Sequence, residues 1–173
     1  LARLAIVEGL MRPTAAVLAQ PDRRGGDRLA DVDGPVIFAP NHHSHLDTPL
    51  MLTSIPEPWR HKLFVGAGAD YFFTNRVTGA LSALAIGAIP IERKKITRRS
   101  ADQAAALIDE GWSMLIFPEG GRSPDGWGQP FRGGAAYLSL RCGVPVVPVH
   151  LQGTGRILRK GAKLPTPSST TVA

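Results

Sequence analysis

Residues 36–52 read VIFAPNHHSHLDTPLML. The apolar run Val36 to Ala39, bounded by Pro35 and Pro40, has the length and composition of a buried strand. At the other end, Thr48 followed by Pro49 predicts a helix start, with Thr48 as N-cap and Pro49 at the first helical position. Between them lies NHHSHLD, residues 41–47, a polar corner between a strand and a helix.

The same unit recurs downstream. Residues 62–65 (KLFV), 88–91 (AIPI) and 114–117 (MLIF) predict further strands. Helices are expected over 75–84 and from a capping box at Ser100 and Gln103 to Gly111, and over 134–142 with Gly143 closing the last. Residues 144–149 (VPVVPV) carry two prolines, so they predict an interrupted or edge strand. Strands alternating with helices argue for an α/β fold: a mixed, largely parallel central sheet flanked by helices. In such sheets, polar residues just past the carboxyl ends of strands line the ligand crevice. NHHSHLD, ERKK (92–95) and PEGGRS (118–123) all occupy that position.

The chain has 173 residues, enough for one domain with a core, and 43% are hydrophobic. It divides into an apolar helical segment (1–20), a turn-rich linker (21–35), a central domain (36–154) and a C-terminal extension (155–173). It starts at Leu1 rather than Met and ends in PTPSSTTVA as if entering a strand, so it reads as trimmed at both ends. A single cysteine, Cys142, excludes an internal disulfide framework and points to a reducing compartment.

Net charge is +6, and five basic residues lie between Arg93 and Arg99. That balance suits anionic lipid headgroups or a phosphorylated substrate. Nucleic acid fits less well, because only 6% of residues are aromatic and no stacking motif accompanies the basic run. No stretch reaches ~18 uninterrupted apolar residues. Residues 1–19, interrupted by Arg3, Glu8, Arg12 and Pro13, read as a helical pair or as a helix lying in an interface.

The histidine cluster admits three readings. His42, His43 and His45 are close enough to bind zinc, but no CxxC or HExxH accompanies them. Ser44 and Asp47 have capping-box-like spacing, which would make Asp47 a helix-start residue only. In the third, His42 is a general base oriented by Asp47. Residues five apart on a regular helix diverge by ~140°, so this pair requires the chain to turn between them.

NHHSHLD resembles the H-x4-D motif of the glycerolipid acyltransferases, the family of 1-acyl-glycerol-3-phosphate acyltransferases. Three further stretches follow in that family's order: GAIPIER (87–93), FPEGGRS (117–123) and VPVVPV (144–149). FRGGAAY (131–137) is similar to the family's segment before the last of these, and Gly121 stands where threonine is common. The four motifs cover roughly residues 36–154.

The resemblance implies transfer of a fatty acyl group from acyl-CoA or acyl carrier protein to a lysophosphatidic acid-like acceptor, giving phosphatidic acid. Glycerol 3-phosphate or another lysolipid is the alternative acceptor. A thioester is already activated, so neither metal nor cofactor is implied. His42 becomes the base and Asp47 its orienter, with His43 a competitor or rim residue and His45 structural. Arg93 and Arg122 are assigned to the acceptor phosphate, with Gly120 and Gly121 offering backbone N–H groups to it. Glu119 is expected to position Arg122 or bond an acceptor hydroxyl, and Ser123 to add a hydroxyl contact or cap a turn. Asn41 is expected to fix its loop, and Pro148 to wall the acyl passage or join the core. The enzyme would work at the cytoplasmic face of the cell membrane, peripheral or monotopic, on an anionic surface. A metal-dependent hydrolase and a lipid- or anion-binding module are the rivals from other classes.

Overall fold

The computed structural model describes residues 5–68, 87–91, 97–123, 128–158 and 164–173. The chain opens with a π-helical turn (Val7–Met11) leading into helix α1 (Arg12–Ala19). Strand β1 (Pro21–Arg23), β2 (Ile37–Pro40), helix α2 (Asp47–Ser54), β3 (Leu63–Gly68) and β4 (Ala88–Ile91) follow. Then come α3 (Arg98–Asp109), β5 (Ser113–Ile116), α4 (Gly134–Cys142), β6 (Val146–Val149), β7 (Leu151–Gln152), α5 (Thr154–Leu158) and β8 (Thr170–Val172). The expected helix over 75–84 and the residue Arg93 lie outside the described residues.

Among the described residues, five strands form a parallel sheet in the order β4-β3-β5-β2-β6. Both faces are covered, which is why its strands read as near-continuous apolar runs. Alternate residues nevertheless go to opposite sides. Phe38, Leu63, Val65 and Leu115 join one core with Leu50, Met51, Leu52, Ile157 and Val172. Ile37, Phe64, Met114 and Ile116 join the other with Ala101, Ala104, Ile108 and Leu138. Helices α1, α2 and α5 thus lie over one face, and α3 and α4 over the other.

Two caps differ from expectation. Helix α2 starts at Asp47, with Leu46 rather than Thr48 as N-cap. Pro49 is then its third residue, still in the first turn, where an N–H has no intrahelical partner to lose. Helix α3 starts at Arg98, because Thr97 takes the extended cap conformation and accepts from the Ser100 N–H. Ser100 therefore lies inside the helix, buried, with its hydroxyl turned back to Thr97.

The stretch expected as a linker is structured. Pro21–Arg23 pairs in parallel with Thr170–Val172, which also pairs antiparallel with Leu151–Gln152. The described part of the C-terminal extension, residues 155–158 and 164–173, therefore folds back onto the body, and the strand foreshadowed by the final residues forms. Ser168 N–H and the Thr170 hydroxyl donate to Leu18 O and Ala19 O, tying this small sheet to the end of α1. Strand β6 is an edge strand of the described sheet, as its prolines predicted. Pro148 faces outward and exposed, so it is not core; Val147 and Val149 supply the packing.

Replacing Leu138, fully buried between α4 and the sheet, by Ala is expected to lower stability by about 2–5 kcal/mol in urea titrations. Leu140, 86% exposed on the same helix, should change stability by less than about 0.5 kcal/mol when replaced by Ala.

Candidate active site

Strands β2 and β5 are neighbours, with Ile37 opposite Met114 and Phe38 opposite Leu115. Their carboxyl ends release the loops 41–46 and 117–123 side by side. The register continues into those loops. His42 N–H donates to Glu119 Oε1 at 2.8 Å, and Arg122 Nη1 bonds His45 Nε2, both across the ladder's separation of 77 residues.

The corner expected between His42 and Asp47 is present. Asp47 Oδ2 lies 2.8 Å from His42 Nδ1 and also accepts the N–H groups of His43 and Ser44, each at 2.7 Å. Asp47 is completely buried, while the His42 side chain is 18% exposed. Because a carboxylate oxygen can only accept, Nδ1 carries the proton in this contact, and in the neutral ring the lone pair is then on Nε2. The contact that a base-orienter pair needs and the amide contacts of a helix-start residue thus fall on one oxygen atom. Ser44 completes the corner: its hydroxyl accepts from Leu46 N–H at 3.2 Å and donates to Leu158 O at 2.8 Å.

The His42 backbone is clamped from the β5 loop. Its N–H goes to Glu119, and its carbonyl accepts from the Ser123 N–H at 2.8 Å. Phe117 stacks on the imidazole with ring centroids 4.0 Å apart and an interplanar angle of 23°. From the other side, Asn41 brackets Leu151, donating to its carbonyl at 2.9 Å and accepting its N–H at 2.6 Å. Asn41 thus fixes the loop as expected, but through β7 rather than through its own turn.

Several expected roles shift. Glu119 is buried, and its described partner is the His42 amide rather than Arg122. The Gly120 N–H is committed to Phe117 O in a turn, so it does not face an anion. Glycine suits position 120 for another reason: its φ of +72° is a conformation that side chains rarely adopt. Gly121 has open space where a Cβ would go, and its carbonyl accepts from Gln129 Nε2. Ser123 is buried with its hydroxyl accepting the Gly128 N–H, which is the turn-capping alternative. His43 gives Asp47 only its amide, and its ring Nδ1 is buried rather than at a rim. Phe117, although inside a quoted motif, carried no signal of its role, because stacking depends on which strands are neighbours.

Burial first, then the Arg122 guanidinium and then His42, push the His45 imidazole below its usual 6.5, with Asp47 opposing. Among the described residues, no three His, Cys, Asp or Glu side chains are grouped to hold a metal ion. The hydrolase reading therefore has no ligand set to build on there.

The sequence model of a family described as Acyltransferase matches residues 20–152. The chloroplastic 1-acyl-sn-glycerol-3-phosphate acyltransferase BAT2 of Brassica napus is 33% identical over 145 residues, 82% of this chain and 40% of the relative. The chloroplastic enzyme of the same description, LPAT1 of Arabidopsis thaliana, is 31% identical over 142 residues, 80% of this chain and 38% of its own length. The chain thus spans about 40% of the length of these plant relatives. The crystal structure of the 1-acyl-sn-glycerophosphate acyltransferase PlsC from Thermotoga maritima is similar in fold, with a TM-score of 0.73. That likeness covers 98% of this chain and 66% of the other at 23% identity.

Replacing Asp47 by Ala leaves the His43 and Ser44 amides and the His42 ring without their shared acceptor. Stability should fall by about 2–4 kcal/mol, and the His43 and Ser44 amides should lose protection in hydrogen exchange. Unchanged protection would show that the corner does not depend on this carboxylate.

Proposed function

The chain belongs to the acyltransferase family, and from that premise we propose that it moves a fatty acyl group from a thioester to the free hydroxyl of 1-acyl-glycerol 3-phosphate. The donor is acyl-CoA or acyl carrier protein, and the product is phosphatidic acid. One observation carries the reading: the 2.8 Å contact of His42 Nδ1 with a buried Asp47, which leaves Nε2 basic.

In the reaction, His42 Nε2 takes the proton of the acceptor hydroxyl as its oxygen attacks the thioester carbonyl. Asp47 stabilises the imidazolium that forms and keeps the ring in its tautomer. Collapse of the tetrahedral intermediate breaks the C–S bond, and the departing sulfur takes the proton from His42. General-base help of this kind contributes typically ~10²–10⁴-fold. Phe117 and the Glu119–Ser123 clamp hold the imidazole in one place, which is a positioning contribution. Glu119, 1% exposed, acts in this reading through His42 rather than directly on the acceptor.

Arg122 is the proposed phosphate ligand, since a guanidinium fork matches phosphate oxygens in pairs. Arg93 is proposed for the same task. Both relatives named above carry the acceptor in their descriptions, which supports this choice over other lysolipids.

Replacing His42 by Ala should lower thiol release by at least ~10²-fold with the fold retained. Replacing Arg122 by Ala should raise the acceptor KM by roughly tenfold or more, well beyond any change in the donor KM. Both are read in a thiol-release assay over a panel that includes lysophosphatidic acid, glycerol 3-phosphate and neutral lysolipids. Equal effects on the two KM values, or full turnover in the His42 variant, would sink the assignment.

We further propose peripheral contact with an anionic bilayer at the cytoplasmic face of the membrane. No helix among the described residues is long and apolar enough to cross a membrane. The N-terminal helical segment does leave Leu10 and Val17 exposed, at 64% and 66%, while Met11 and Leu18 pack inward. Since Ala15 and Ala19 are buried, deleting the segment would damage the core; point changes are the cleaner test. Changing Leu10 and Val17 together to Asp should weaken binding to phosphatidylglycerol-containing vesicles about tenfold or more, without lowering the melting temperature.

A further inference from the structure

We propose that His45 is a positioning residue for Arg122: its neutral imidazole accepts a hydrogen bond from the guanidinium and holds it where the acceptor's phosphate docks. The proposal rests on the reading of Arg122 as the phosphate ligand.

Arg122 stands on the loop after β5 beside Gly121, where a Cβ would meet open space. A long, rotamer-rich side chain on such a loop gains specificity only if something orders it before the ligand arrives. The contact between Arg122 Nη1 and His45 Nε2 supplies that order. It joins the loop after β2 to the loop after β5, three residues beyond the Glu119–His42 bond on each, at the same separation of 77 residues. One pair of adjacent loops thereby positions the proposed base and the proposed phosphate ligand together.

Chemistry fixes the protonation state that the contact needs. Guanidinium has five N–H donors and no acceptor, so Nε2 must present a lone pair and His45 must be neutral. A protonated ring would point N–H against a cation and lose the bond. Arg122, His42 and Asp47 are charged or titratable groups that act on His45. Burial, Arg122 and His42 favour the neutral ring, and Asp47 opposes them. With its pKa held below 6.5 in the folded chain, His45 keeps the contact above that pH. The contact is lost as pH falls through the lowered value.

The test measures acceptor and donor KM separately by thiol release, from about pH 5 to pH 8, a range that spans imidazole titration. It compares the parent chain with H45L, H45Q and R122A. Glutamine places an accepting oxygen near the position of Nε2 but does not titrate there. H45L is expected to raise the acceptor KM about five- to twentyfold at neutral pH, consistent with losing one hydrogen bond to a charged group. The donor KM and kcat should move less than about twofold in the same variant. H45Q is expected to restore most of the acceptor KM at neutral pH and to abolish the part of its acid-side rise that belongs to His45. The acceptor's own phosphate ionisation is common to all variants and cancels in the comparison.

An acceptor KM in H45L equal to the parent's overturns the proposal, as does an H45Q profile that follows the parent's at acid pH. If R122A raises the acceptor KM and H45L does not, the positioning role alone fails. If R122A leaves it unchanged, the phosphate reading and the positioning role fail together. Should H45L not fold, the H45Q profile decides the matter.

Discussion

One oxygen atom organises this site. Asp47 Oδ2 accepts the His43 amide, the Ser44 amide and the His42 ring nitrogen while fully buried. Removing a carboxylate from water is costly unless donors replace the lost hydration. Three short hydrogen bonds do that for Oδ2, and their directions force the chain to double back between the strand and the helix. The turn that satisfies the carboxylate is the same turn that aims the imidazole. Structure and chemistry at this corner are not separable.

Around the corner, the parallel ladder does the alignment. With β2 and β5 adjacent and Ile37 opposite Met114, the two loops leave the sheet in step. Glu119 and Ser123 then grip the His42 peptide group on both sides, Phe117 covers the ring, and Arg122 meets His45. Loops positioned by a rigid scaffold are where function concentrates in α/β folds, because the strands hold register while loop side chains are free to vary.

Expectation and structure part company in the competition between nearby caps and turns, and where a partner is distant in the chain. The expected cap at Thr48 and capping box at Ser100 followed local rules, and competing contacts a few residues away moved the caps two and three residues earlier: Asp47 is drawn into the helix by the amides it accepts, and Thr97 outcompetes Ser100. Pro21–Arg23 has no apolar alternation, so its strand pairing with Thr170–Val172 left no local mark. Gly120 was expected to offer an N–H to an anion; the turn to Phe117 O takes it instead. Pro148, inside an apolar run, faces outward because the strand that bears it is an edge of the described sheet.

What the sequence determined alone was the alternation of apolar runs with capped helices, and hence a layered α/β fold with polar clusters at the carboxyl ends of its strands. Those signals are local: hydrophobic period, proline and glycine placement, and cap residues act within a few positions of themselves. It also determined that His42 and Asp47 could meet only at a turn. Tertiary structure alone decided the order β4-β3-β5-β2-β6, and with it which loops are neighbours. Strand order is a property of non-local pairing, so the clamp on His42, the Phe117 stack and the Arg122–His45 contact could exist only once the sheet had formed.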